Sequence, residues 1–138
     1  MAQARIGRRA SFLWLLVLLA CGKPKTAQAV AEAFIDRYYI ERDHAKALEL
    51  ATGVAAARVQ EEKRLVQEGR AAGAGDSMVQ PHVYYTLRKI SPRGADVELT
   101  YDLTIDSGGA VLKKELRLVA TRAGDAYKVG FFNETDLQ

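Results

Sequence analysis

Cysteine is almost missing from this chain: Cys21 stands alone among 138 residues. No intrachain disulfide can form, so a folded domain has to be held by packing. Histidine is nearly as scarce. His44 and His82 lie far apart in the sequence, with no set of carboxylates spaced around them. That excludes a metal site of the zinc type, and no cofactor is expected. No Gly-x-Ser-x-Gly elbow is present to carry a serine nucleophile. Residues 69–77, Gly-Arg-Ala-Ala-Gly-Ala-Gly-Asp-Ser, are rich in glycine but lack the Gly-Lys-Ser/Thr ending of a phosphate loop. They read as a linker. Long apolar runs are absent too. Residues 10–20 are apolar apart from Ser11, about half the length needed to cross a bilayer as a helix.

The charge is small and unevenly placed. Twenty Lys and Arg face 17 Asp and Glu, for a net charge of +3. Arg5, Arg8 and Arg9 precede the apolar run, and no acid accompanies them. Without that segment the balance is 17 against 17. The remainder is neutral and offers no basic face for nucleic acid.

An arginine-bearing start, a short apolar run and the tetrapeptide Leu18-Leu19-Ala20-Cys21 follow one another. The order is that of a signal peptide. The tetrapeptide resembles the lipobox of bacterial lipoproteins. The resemblance implies cleavage between Ala20 and Cys21 and lipid attachment to the Cys21 thiol. Residues 1–20 are then a signal, residues 21–25 a short tether, and residues 26–138 a single domain. Gly22 after the cysteine implies outer-membrane delivery, with the domain facing the periplasm.

Within the domain the hydrophobic period is helical first. Thr26 is placed as an N-cap. Val30, Phe34 and Tyr38 recur every four residues, with Ala31, Ile35 and Tyr39 beside them. Glu32, Asp36 and Arg37 fall outside this stripe. Asp43 caps a short second helix that buries Ala47, Leu48, Leu50 and Ala51 and stops at Gly53. A third helix is expected over residues 54–70, with Val59, Leu65 and Val66 facing inward.

From His82 the period becomes two. Strands are expected over residues 82–90, 96–105, 110–121 and 126–134. Val97, Leu99, Tyr101, Leu103 and Ile105 share one face of the second. Leu112, Leu116, Leu118 and Ala120 share one face of the third, and Tyr127, Val129 and Phe131 one face of the fourth. Pro92-Arg93-Gly94, Ser107-Gly108-Gly109 and Ala123-Gly124-Asp125 are hairpin connections. The expected fold is α+β: N-terminal helices packed on a curved four-stranded antiparallel meander. Its outer face carries Glu98, Asp102, Lys113, Glu115, Arg117 and Lys128, which can pair across strands.

Ala33-Phe34-Ile35-Asp36-Arg37-Tyr38-Tyr39 on the first helix and Tyr127-Lys128-Val129-Gly130-Phe131-Phe132 on the last strand resemble the cystatin-like, nuclear-transport-factor-2-like superfamily. The resemblance spans residues 26–135. It implies a cone between helices and sheet, lined here by Phe34, Tyr38, Tyr85, Tyr101 and Phe131. Some members are isomerases or dehydratases that use an Asp/His base with a tyrosine. The matching local residues are Asp36, Tyr38, Tyr39, His82, Tyr84, Tyr85 and Tyr101, and their pattern assembles no catalytic pair. No catalytic residue is therefore assigned, and the protein is not expected to be an enzyme. The expectation is an accessory protein held to the membrane lipid by its anchor. It would bind a small apolar ligand or an envelope protein, or pair with a second copy through its sheet. An isomerase or hydratase in the same cone is the alternative.

Overall fold

A computed structural model describes Gly22 and residues 24–73 and 80–138. The expected signal, Ala20, Cys21 and residues 74–77 of the Gly/Ala-rich linker lie outside the described residues. Among the described residues, three α-helices, α1 (Ala27–Ile35), α2 (His44–Glu49) and α3 (Gly53–Ala71), precede four strands. These are β1 (His82–Arg93), β2 (Asp96–Asp106), β3 (Val111–Ala123) and β4 (Ala126–Asp136). The strands pair antiparallel in the order β1-β2-β3-β4, and the helices cover one face. This is the expected helix-on-meander α+β architecture. No helix among the described residues is long and apolar enough to cross a membrane.

Local chemistry explains the helix starts. Thr26 accepts a hydrogen bond from the Ala29 amide at 3.1 Å, and Asp43 accepts one from the Lys46 amide at 3.0 Å. Each satisfies a donor that a first turn leaves open. Gly53 does not stop α2, which ends at Glu49; it opens α3. Its φ of 54° lies in the left-handed region that glycine enters freely. Arg70 and Ala71 belong to α3, so the linker begins later than its glycines suggested.

Beyond Ile35 the first helix widens. Asp36–Ile40 form a π-helical turn, with the Glu41 amide bonded to the Asp36 carbonyl at 2.8 Å. Arg42 follows with φ 55°. The left-handed residue breaks the helix and turns the chain into α2.

The core lies between α1 and the inner face of β2–β4. Val30, Phe34 and Ile35 of α1 meet Leu99, Tyr101, Leu103, Leu116, Leu118 and Val129, all buried. The outer face is a charged lattice. Glu98 meets Arg117 at 3.0 Å. Arg88 meets Glu115 at 3.0 Å and Asp102 at 3.2 Å. Arg88 was not among the expected partners. It is the extra residue of a β-bulge between Leu87 and Lys89, on the outward side with Thr86.

A second bulge overturns part of the expected β4. Val119 pairs with Phe131 but Ala120 pairs with Val129, so Gly130 is the extra residue. Strict alternation places Phe131 inside. Past the bulge the phase reverses: Phe131 is 40% exposed and Phe132 is 3% exposed. A Cβ on Gly130 would stand 2.9 Å from Thr121 Oγ1, which explains glycine at this position. Just before the bulge, Val129 bonds outward to the α2–α3 connection. Its amide reaches the Leu50 carbonyl at 2.8 Å, and its carbonyl accepts from the Thr52 amide at 2.8 Å. That latch covers part of the β4 edge.

Candidate functional site

Four elements converge at one end of the sheet. The π-helical turn brings Tyr38 and Tyr39 side by side, with ring centroids 4.7 Å apart. α2 contributes His44, whose ring meets Tyr38 edge-on at 5.6 Å. α3 contributes Arg58 and Glu62, one turn apart. From the sheet come Glu134 and Lys114. Both point inward: Lys114 by the ordinary alternation of β3, Glu134 because of the Gly130 bulge.

These side chains form a closed polar network. Tyr38 donates to Glu62, and Tyr39 donates to Glu134. Arg58 bonds Glu62 at 3.3 Å and reaches Glu134 at 3.7 Å. It also donates to the Phe132 carbonyl at 3.3 Å, and its guanidinium lies 4.2 Å from the Phe132 ring centroid. Lys114 donates to Glu134 at 3.1 Å and pairs with Asp136 at 3.3 Å. His44 Nε2 is 3.7 Å from Glu62. Burial raises both tyrosine pKa values well above the ordinary phenol range, and the hydrogen bonds to carboxylates raise them further. Tyr38 and Tyr39 are therefore neutral donors at physiological pH. The Glu134 hydrogen bond holds the Lys114 ammonium above its usual pKa.

This network floors an open cavity of about 620 Å³. Its walls are apolar: Leu65 and Val66 of α3 face Pro81, Val83 and Ile105 across the gap. Leu65 and Val66 were expected in the core. They are instead 52% and 36% exposed, because α3 runs out beyond the sheet. The hydrophobic stripe of α3 thus continues after its packing surface ends, and it becomes a cavity wall.

Of the five residues expected to line the cone, Tyr38 lines this cavity. Phe34 is buried beneath it, stacked on Tyr38 at 5.4 Å. Tyr101 is buried in the sheet core. Tyr85 donates to Asp36 at 2.9 Å, which occupies the one carboxylate considered as a base. Burial first, and that bond second, push the Tyr85 phenol up to about 12. Phe131 lies on the opposite face of the sheet. Tyr84 and His82 point outward from β1, both exposed.

Sequence reading did not find Arg58, Glu62, Lys114 and Glu134. Lys114 was within reach: it occupies an inward position between Leu112 and Leu116 on an otherwise apolar face. Arg58 and Glu62 flank Val59 at a spacing of four, a weaker sign. Among the described residues, no group of three or more His, Cys, Asp and Glu side chains could hold a metal ion.

No protein-family model and no curated protein matches the chain. Solved structures do. One is given as a candidate calcium/calmodulin-dependent protein kinase type II association domain from Thiobacillus denitrificans. It is 14% identical with a TM-score of 0.62, over 83% of this chain and 97% of that one. A chain bearing the nuclear-transport-factor-2 name is 13% identical with a TM-score of 0.54, over 79% and 96%. Bd1075 of Bdellovibrio bacteriovorus is 12% identical with a TM-score of 0.55, over 80% of this chain and 39% of that larger one. At these identities the likeness is one of fold, and the fold is nuclear-transport-factor-2-like.

Proposed function

We propose that the protein is a lipid-anchored accessory of the bacterial cell envelope that binds a small amphipathic ligand without transforming it. The observation that carries the ligand reading is the 620 Å³ cavity with apolar walls over a fixed polar floor. Binding sites are commonly apolar clefts in which a few converging polar groups set orientation. Tyr38, Tyr39 and Arg58 present such groups here, while Leu65, Val83 and Ile105 offer apolar surface.

The floor favours binding over catalysis. A general base needs a free lone pair within reach of the substrate proton. Glu62 already accepts from Tyr38 and Arg58, with His44 close by. Glu134 accepts from Tyr39 and Lys114, with Arg58 close by. The anchoring half of the proposal rests on Leu18-Leu19-Ala20-Cys21 behind the arginine-rich start. Two or more acyl chains hold a protein stably at a bilayer. Residues 26–138 would then work as one domain close to the outer membrane, on its periplasmic side.

Two measurements test these parts separately. The intact mass of membrane-purified protein should match residues 21–138 plus a diacylglycerol and an acyl chain, and the Cys21→Ala protein should carry neither. An unlipidated mass refutes the anchor. For the cavity, a Leu65→Asp change should abolish binding of an apolar fluorescent probe while leaving the thermal midpoint within a few degrees. Unchanged binding refutes the cavity as the site. The likeness to an association domain favours a second reading, self-association through the sheet. A mass that rises with protein concentration would support it.

A further inference from the structure

A second pocket adjoins the cavity. It has a volume of about 360 Å³ and lies between the turn into α2 and the α3 helix. Arg42, His44 and Val66 line both spaces, so the two lie side by side against these side chains. Their chemistry differs. Lys63, Arg70, Glu41 and Asp43 line the second pocket. Both carboxylates there are engaged elsewhere: Glu41 with Arg37 at 2.6 Å, Asp43 with the Lys46 ammonium at 3.3 Å and the Lys46 amide. Neither Arg42 nor Lys63 has an ion-pair partner among the described residues. The pocket therefore presents a surplus of positive charge beside an apolar cavity.

The backbone at Arg42 points the same way. Its φ of 55° is left-handed, a conformation that is costly for an ordinary L residue and nearly free for glycine. A helix stop alone is served at least cost by glycine. Arginine at this stop carries a long cation to the junction of the two spaces. An observed backbone outlier of this kind is a legitimate starting point for a functional inference.

We propose that cavity and basic pocket form one site for an amphiphile with an anionic head, a carboxylate or a phosphate. The apolar chain lies against Leu65, Val83 and Ile105, and Arg42 and Lys63 bind the head. The inference rests on the cavity reading above and adds the ligand's charge. A planar guanidinium suits bidentate contact with either anion.

The test uses the full chain carrying Cys21→Ala, so that no attached lipid competes. Binding of octanoate, octyl phosphate, octanol and octyltrimethylammonium is measured by titration calorimetry at low salt. At least one anion should bind about tenfold or more tightly than the cation, a ratio that two charge-assisted contacts readily supply. The preference between the two anions identifies the head. Arg42→Gln combined with Lys63→Gln should erase the advantage. Arg42→Gly guards against a folding artefact, since it relieves the left-handed strain and should leave the thermal midpoint unchanged or higher while weakening the anion. Equal or tighter binding of the cation overturns the charge assignment, as does a double variant that still prefers the anion. The cavity reading survives that result if Leu65→Asp weakens all four probes. Failure of every probe to bind overturns both.

Discussion

Tyr101 and Tyr85 are neighbours with ring centroids 5.8 Å apart, and their hydroxyls face opposite circumstances. The Tyr101 hydroxyl is buried and has no hydrogen-bond partner among the described residues. The Tyr85 hydroxyl donates to Asp36 at 2.9 Å. An unpaired buried hydroxyl costs about 1–3 kcal/mol, whereas a made hydrogen bond contributes about 0.5–1.5 kcal/mol. Removing each oxygen should therefore move stability in opposite directions. Tyr101→Phe keeps the ring and its packing and should gain about 1 kcal/mol, or roughly 3–6 °C in the thermal midpoint for a domain of this size. Tyr85→Phe should lose about 1 kcal/mol. Urea unfolding of the two variants beside the parent checks both, provided the slope with denaturant is unchanged. A loss of 1 kcal/mol or more in Tyr101→Phe would refute the reasoning. It would mean that the hydroxyl is hydrogen-bonded in the folded protein after all.

Three further outcomes are expected. Phe132→Ala should cost about 3–5 kcal/mol as a core truncation, while Phe131→Ala should cost less than about 1 kcal/mol; equal losses in urea melts would contradict the bulge at Gly130. Tyr38, Tyr39 and Tyr101 keep their protons in the fold beyond the pH at which free phenols ionise. The folded state then binds more protons than the unfolded one, so stability should fall as pH rises above about 10. Tyr39→Phe should make that fall shallower in urea melts compared between pH 9 and pH 11. Leu118→Ala, at a position with no exposure, should cost about 2–5 kcal/mol. Leu112→Ala, on the same strand face but 54% exposed, should be nearly silent.

The errors in reading β4 trace to one residue. A period of two carries Tyr127 and Val129 inward correctly and then requires Phe131 inside. Gly130 adds a residue that alternation cannot see, so Phe131 turns out, Phe132 turns in, and Glu134 joins the inner face. The misplaced phenylalanine and the unnoticed carboxylate are the same slip. The α3 stripe misled for a different reason: Val66 is in helical phase with Val59 and Leu65 lies beside it, but phase does not tell where the opposing sheet ends. The caps at Thr26 and Asp43, the strand order and the inner face of β2 were legible because local hydrogen bonding and alternation fix them. The polar floor was not, because it joins residues as distant as Tyr39 and Glu134, 95 positions apart.

That separation bears on the order in which the molecule can assemble. α1 rests chiefly on β3 and β4, and Phe34 packs edge-on against Phe132 at 5.1 Å. The meander can zip from hairpin to hairpin with little loop-closure cost, yet the floor under the first helix is incomplete until the last strand is in place. On a ribosome, α1 would emerge with its apolar stripe uncovered and stay so for most of synthesis. The helix–sheet core can be complete only once β4 has arrived. A chain built this way remains threadable until its final strand arrives.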